Sequence, residues 1–131
     1  MAVKTRRAEA DPEAMTPLTP AVFHIMLSLS DGESHGYSLM AQVDEITEGR
    51  MQLGPGTLYR SIQRMLVDGL IEEVEGAGGA IPADERRRYY RLTRFGKQVA
   101  QAEASRLARL VEAAAARGLL SRKAVKAAGK R

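Results

Sequence analysis

The chain has 131 residues, of which 44% are hydrophobic and none is cysteine. That is enough for one modest core, and it excludes disulfides, thiolate catalysis and cysteine-ligated metal. Aromatics make up only 5%, so Leu, Ile, Val, Met and Ala must supply the interior. No apolar run approaches the ~20 residues of a membrane span and no signal peptide is legible, so a cytoplasmic protein with no membrane partner is expected.

The net charge of +4 is unevenly distributed. The segment 119–131 carries Arg122, Lys123, Lys126, Lys130 and Arg131 with no acid, whereas residues 21–118 hold twelve basic and thirteen acidic side chains. Inside that near-neutral body, positions 86–97 concentrate Arg86, Arg87, Arg88, Arg91, Arg94 and Lys97 without an acid. Such clustering, more than the total, is the footprint of a nucleic-acid contact.

Residues 1–17 are polar and aperiodic, with Pro12 and Pro17, and are expected to be a flexible N-terminal arm. Helical periodicity begins at Thr19, an N-cap followed by Pro20, with Val22, Phe23, Met26, Leu27 and Leu29 at core spacing as far as Asp31-Gly32. Ser34 is the expected cap of a second helix from about 35 to 47, whose apolar side would be Tyr37, Leu39, Met40, Val43 and Ile46, ended by Gly49. Met51-Gln52-Leu53 reads as an extended linker, and Gly54-Pro55 as the turn and first residue of a third helix.

That third helix sets Leu58, Ile62, Met65 and Leu66 on one face and Thr57, Arg60, Ser61 and Arg64 on the opposite one, flanked by Tyr59 and Gln63. Asp68-Gly69 closes it. A strand over 70–75, a glycine-rich tip over 76–84 and a returning strand over 86–93 follow, with Arg88, Tyr90 and Leu92 on one face and Arg87, Tyr89 and Arg91 on the other. Thr93 caps a last helix running to about 117, along which Ala100, Ala104, Leu107, Val111 and Ala114 form a heptad-like seam. A lone helix cannot bury such a seam, so pairing with a second copy is expected.

These elements predict a mainly α fold with a small β-hairpin: a winged helix-turn-helix over 18–94, a dimerisation helix over 95–118 and a basic tail over 119–131. Hydrogen-bonding side chains on a helix face left open by the core suit entry into the major groove. Guanidinium groups on a hairpin suit phosphate oxygens. Gly54-Pro55-Gly56 lacks the continuation of a phosphate-binding loop and is read as a turn. His24 and His35 are the only histidines, and no metal or nucleophile–base constellation is legible, so no enzyme and no cofactor are expected.

The run Gly56-Thr57-Leu58-Tyr59, then Leu66, Gly69-Leu70-Ile71, Arg88-Tyr89-Tyr90-Arg91-Leu92-Thr93 and Gly96, together with His35-Gly36-Tyr37, resembles the PadR family of winged-helix transcriptional regulators over roughly 18–117. The resemblance implies a homodimeric repressor whose last helix packs against its partner and which binds double-stranded operator DNA. It implies Tyr37, Thr57, Tyr59, Arg60, Arg64 and the wing residues Arg86, Arg87 and Arg88 at DNA, with Ser61 and Gln63 on the same helix. Arg60 stands where the family often has proline, and the chain lacks the tryptophan that many members carry. Two alternatives accompany this expectation. One is an interaction module with a basic surface for an acidic protein. The other is a small-molecule-sensing regulator with an inducer at the dimer interface, between the first and last helices, around Phe23, Met26, Phe95 and Val99.

Overall fold

The computed structural model describes residues 10–75, 88–121 and 123. The expectations for residues 1–9, the wing tip with Arg86 and Arg87, and most of the basic tail lie outside the described residues.

Helix α1, Pro20–Leu29, starts where its sequence dictates: the Thr19 hydroxyl accepts the Val22 N–H at 3.2 Å, and Pro20 occupies a position that needs no donor. Its buried face is rotated from the one expected. Ala21, Val22, Ile25, Met26 and Leu29 enter the core, whereas Phe23 is half-buried and Leu27 is exposed.

The second helix corrects the reading of Ser34. Ser34–His35 form a short strand, β1, and the cap of α2, Gly36–Ile46, is His35, whose Nδ1 accepts the Ser38 N–H at 3.3 Å. Ser34 is buried instead and its hydroxyl accepts from Gln42 Nε2 at 3.0 Å. Leu39 and Val43 hold α2 in the core. Tyr37 is 67% exposed and Ile46 is also exposed, so neither belongs to the apolar side as expected.

Helix α3, Pro55–Val67, buries Leu58, Ile62 and Met65. It ends in a Schellman turn: the Leu70 N–H reaches the Met65 carbonyl at 2.9 Å, and the Gly69 N–H reaches that of Leu66 at 3.2 Å. Gly69 sits at φ +77, a conformation costly for any residue with a Cβ. The turn delivers the chain into β2, Ile71–Val74, which pairs antiparallel with β3, Tyr89–Leu92. The sheet has three strands, in the order β1-β3-β2, where the sequence suggested a two-stranded hairpin. Two residues are too few to show an alternation, so β1 carries no strand signal in the sequence.

Helix α4, Arg94–Ala116, is capped by Thr93, whose hydroxyl accepts the Gly96 N–H at 2.9 Å and donates to the Gly69 carbonyl at 2.6 Å. One side chain thus caps a helix and ties it to the preceding turn. Gly96 is buried against the Leu70 backbone, and a Cβ there would collide with the Leu70 carbonyl. Val99 completes the core.

Residues 10–17, expected within a flexible arm, form a 3-10 turn at Pro12–Met15 instead, capped by Asp11 and packed against α4. Met15 and Leu18 rest on the core, and the Leu18 N–H donates to the Glu103 carboxylate at 3.3 Å. Local periodicity could not reveal this, because the partner lies 85 residues away.

Candidate nucleic-acid interface

The amphipathic pattern of α3 sorts its side chains by burial. With Leu58, Ile62 and Met65 in the core, Thr57, Tyr59, Arg60, Gln63 and Arg64 are exposed and Ser61 is half-buried. The Arg60 guanidinium lies over the first turn, 3.5 Å from the Thr57 hydroxyl. Arg64 pairs with Asp68 one turn later, Nε to Oδ2 at 3.2 Å, so the end of α3 presents a cation already matched by a carboxylate.

Beside α3 lies a cleft of about 460 Å³, with Ile62 and Leu66 contributing apolar surface and His35, Tyr37, Tyr59, Gln63, Glu73, Arg88 and Tyr90 contributing polar atoms. Three elements converge on it: the start of α2, the exposed flank of α3, and the β2–β3 sheet. Tyr59 fits because position 36 is glycine; a Cβ on Gly36 would run into the Tyr59 hydroxyl. A T-shaped contact between His35 and Tyr89, with ring centroids 5.2 Å apart, adds a side-chain contact to the β1–β3 pairing.

The register of the hairpin decides where its charges meet. Glu73 lies opposite Tyr90, so its diagonal neighbour is Arg88, and their charged groups close to 3.1 Å. Glu72 lies opposite Arg91 and pairs with it at 2.7 Å. Because side chains alternate along a strand, these two pairs occupy opposite faces of the sheet. Burial, then the nearby Glu73 carboxylate, pushes the Tyr90 phenol above its ordinary value of 10.0, so it remains a neutral hydrogen-bonding group at physiological pH.

Of the side chains assigned to DNA from the sequence, Tyr37, Tyr59, Gln63 and Arg88 converge on the cleft, and Thr57, Arg60 and Arg64 lie along the open face of α3. Arg86 and Arg87 lie outside the described residues. Sequence reasoning missed Asp68, Glu72 and Glu73, the acids that hold the arginines. Their signal was present: aligning the two strands antiparallel sets Glu72 against Arg91 and Glu73 diagonal to Arg88, and Asp68 follows Arg64 by four residues.

A three-strand sheet edge with a helix across it and a polar helix face alongside is shared by many winged-helix proteins. The family model narrows the choice: that of the transcriptional regulator PadR-like family matches residues 25–102. The chain belongs to this PadR-like family. Its members are transcriptional regulators rather than enzymes. Among curated proteins, the chain is similar to a 37.1 kDa protein of transposon Tn4556 from Streptomyces fradiae, with 33% identity over 86 residues. That match covers 66% of this chain and spans only 22% of the length of the Streptomyces protein. Among solved structures, a transcriptional regulator from Clostridium thermocellum superposes with a TM-score of 0.61 at 22% identity, covering 70% of this chain and 86% of that one. Bacillus subtilis PadR, solved in complex with operator DNA, superposes with a TM-score of 0.54 at 21% identity, covering 65% and 46% of the two chains. At these identities the structural matches establish the fold.

The seam residues of the PadR-like chain's last helix divide in two. Ala100 packs on the core, and Leu107 and Ala114 are half-buried, whereas Ala104 and Val111 are exposed. The buried stripe of α4 is Gly96, Val99 and Glu103; continued by the same spacing it reaches Leu107 and Leu110, and Leu110 is 54% exposed. Glu103, a carboxylate on that stripe, is only 2% exposed. It accepts two bonds from Arg106 at 2.8 Å and one from the Leu18 N–H. Those guanidinium bonds first, and the Leu18 N–H with them, hold its carboxyl below the usual value of 4.5 against the opposing effect of burial. Met26 and Val99, two residues expected around an inducer, are fully buried in the core.

Proposed function

We propose that the chain is a homodimeric repressor that binds an inverted-repeat operator, with α3 in the major groove and the β2–β3 wing along the phosphate backbone. One observation carries the reading: the open face of α3, Thr57, Arg60 and Arg64, stands beside the cleft into which Tyr37, Tyr59, Gln63 and Arg88 project from three separate elements. Hydroxyl, amide and guanidinium groups on one ridge provide donors for base edges and phosphates together. The exposed apolar end of α4, with Leu110 and Val111, supports pairing of two copies, and two-fold symmetry would set the two α3 helices about 34 Å apart. The family supports repression as the direction of regulation.

Fluorescence anisotropy tests this with a labelled duplex from directly upstream of the chain's own gene and a scrambled duplex, across a salt series. The expected result is a preference of at least about a hundredfold that persists as salt rises. Equal binding to both that salt abolishes would reduce the interface to a basic surface.

A further inference from the structure

Arg88, the described wing arginine of the interface, is not a free cation. Its Nη1 lies 3.1 Å and 3.4 Å from the two Glu73 carboxylate oxygens, at the cleft that Tyr59 and Gln63 also line. Both side chains are exposed to water, Arg88 64% and Glu73 42%, so the pair adds little to folding and breaks at little cost. A carboxylate and a phosphate both present anionic oxygens that accept charge-assisted bonds from a guanidinium. The free protein therefore holds, at the position proposed for DNA, an internal anion that competes for the same donor.

We propose that Glu73 tunes the hold on DNA: its carboxylate occupies Arg88 in the free protein and is displaced by a backbone phosphate when the cleft engages one sugar-phosphate unit. This rests on the DNA-binding reading above. Displacement exchanges one anion for another on Arg88 and leaves an unpaired negative charge facing DNA. Glu73 thus weakens binding to every duplex and removes about one cation from the effective charge of the interface. The neighbouring Glu72 supplies an internal control, since it bears the same charge and pairs with Arg91 on the opposite face of the sheet.

The test compares wild type, Glu73→Gln and Glu72→Gln by anisotropy on the upstream and scrambled duplexes over a salt series, with thermal melts to verify folding. Glu73→Gln is expected to bind both duplexes about threefold to tenfold more tightly at low salt. The slope of log affinity against log salt should steepen by about 0.9. Glu72→Gln should change both quantities markedly less. A Glu73→Gln protein that binds like wild type, binds more weakly, or is matched by Glu72→Gln overturns the proposal while leaving DNA binding intact. If none of the three proteins binds either duplex, the DNA-binding reading itself fails and the proposal with it.

Discussion

Two glutamate–arginine pairs of this chain close at similar distances and behave as opposites in the fold. Glu103, paired with the half-buried Arg106, sits on α4 where the N-terminal segment packs, and every bond that Glu103 makes replaces water it has lost. Glu73 and Arg88 close at a similar distance on the rim of a cleft, where water competes for both. The contrast teaches that distance alone does not assign a role to an ion pair. Burial makes Glu103 a fastener, because its carboxylate also takes the Leu18 N–H and so ties α4 to the N-terminal segment. Exposure leaves the second pair free to exchange partners.

The buried side of this contrast breaks hardest at Gly96, where α4 crosses the Leu70 carbonyl. Gly96→Ala is expected to lower stability by about 3 kcal/mol in urea denaturation, since the backbone on the far side cannot retreat as a side chain would. Glu103→Ala comes next. It leaves the Leu18 N–H without its acceptor and should cost about 2 kcal/mol by the same assay. Acid sharpens the point. The folded carboxyl of Glu103 titrates below its ordinary value of 4.5, so its contribution is fully present above that value and is lost as pH falls through the lower, folded one. The stability gap between wild type and Glu103→Gln should therefore narrow in acid; a constant gap down to the foot of the transition would show that Glu103 acts by shape alone.

On the exposed side, Arg64→Ala should leave folding intact and weaken operator binding by about 1–3 kcal/mol if the guanidinium reads a base. Titration against the two duplexes separates the roles, because an equal loss on both would assign Arg64 to phosphate. Leu110→Glu should move the protein from dimer to monomer in sedimentation equilibrium, an unchanged dimer placing the interface elsewhere on α4. The smallest effect is reserved for the wing acids: Glu72→Gln and Glu73→Gln should each shift stability by no more than about 0.5 kcal/mol. A larger loss at Glu73 would make that pair a fastener too and erase the contrast.

Much of this architecture was legible along the chain. The starts of α1, α3 and α4 follow from Thr19-Pro20, Gly54-Pro55 and Thr93, because a cap or a helix-initiating proline acts over one turn and needs no distant partner. The division of α3 into a buried and an open face follows from its 3.6-residue period, and with it most of the candidate interface.

The remainder needed the folded chain. Ser34–His35 became a strand because Tyr89 and Tyr90 offered it an edge, and Glu103 became an interior residue because Leu18 came back to cover it. Gly36 proved to be the seat of Tyr59, and Glu73 the partner of Arg88, only once the helix and the sheet were brought side by side. Caps, turns and periodicity are short-range and are written in neighbouring residues. Burial and the pairing of charges across the fold depend on which distant segments meet, and that is decided when the core closes.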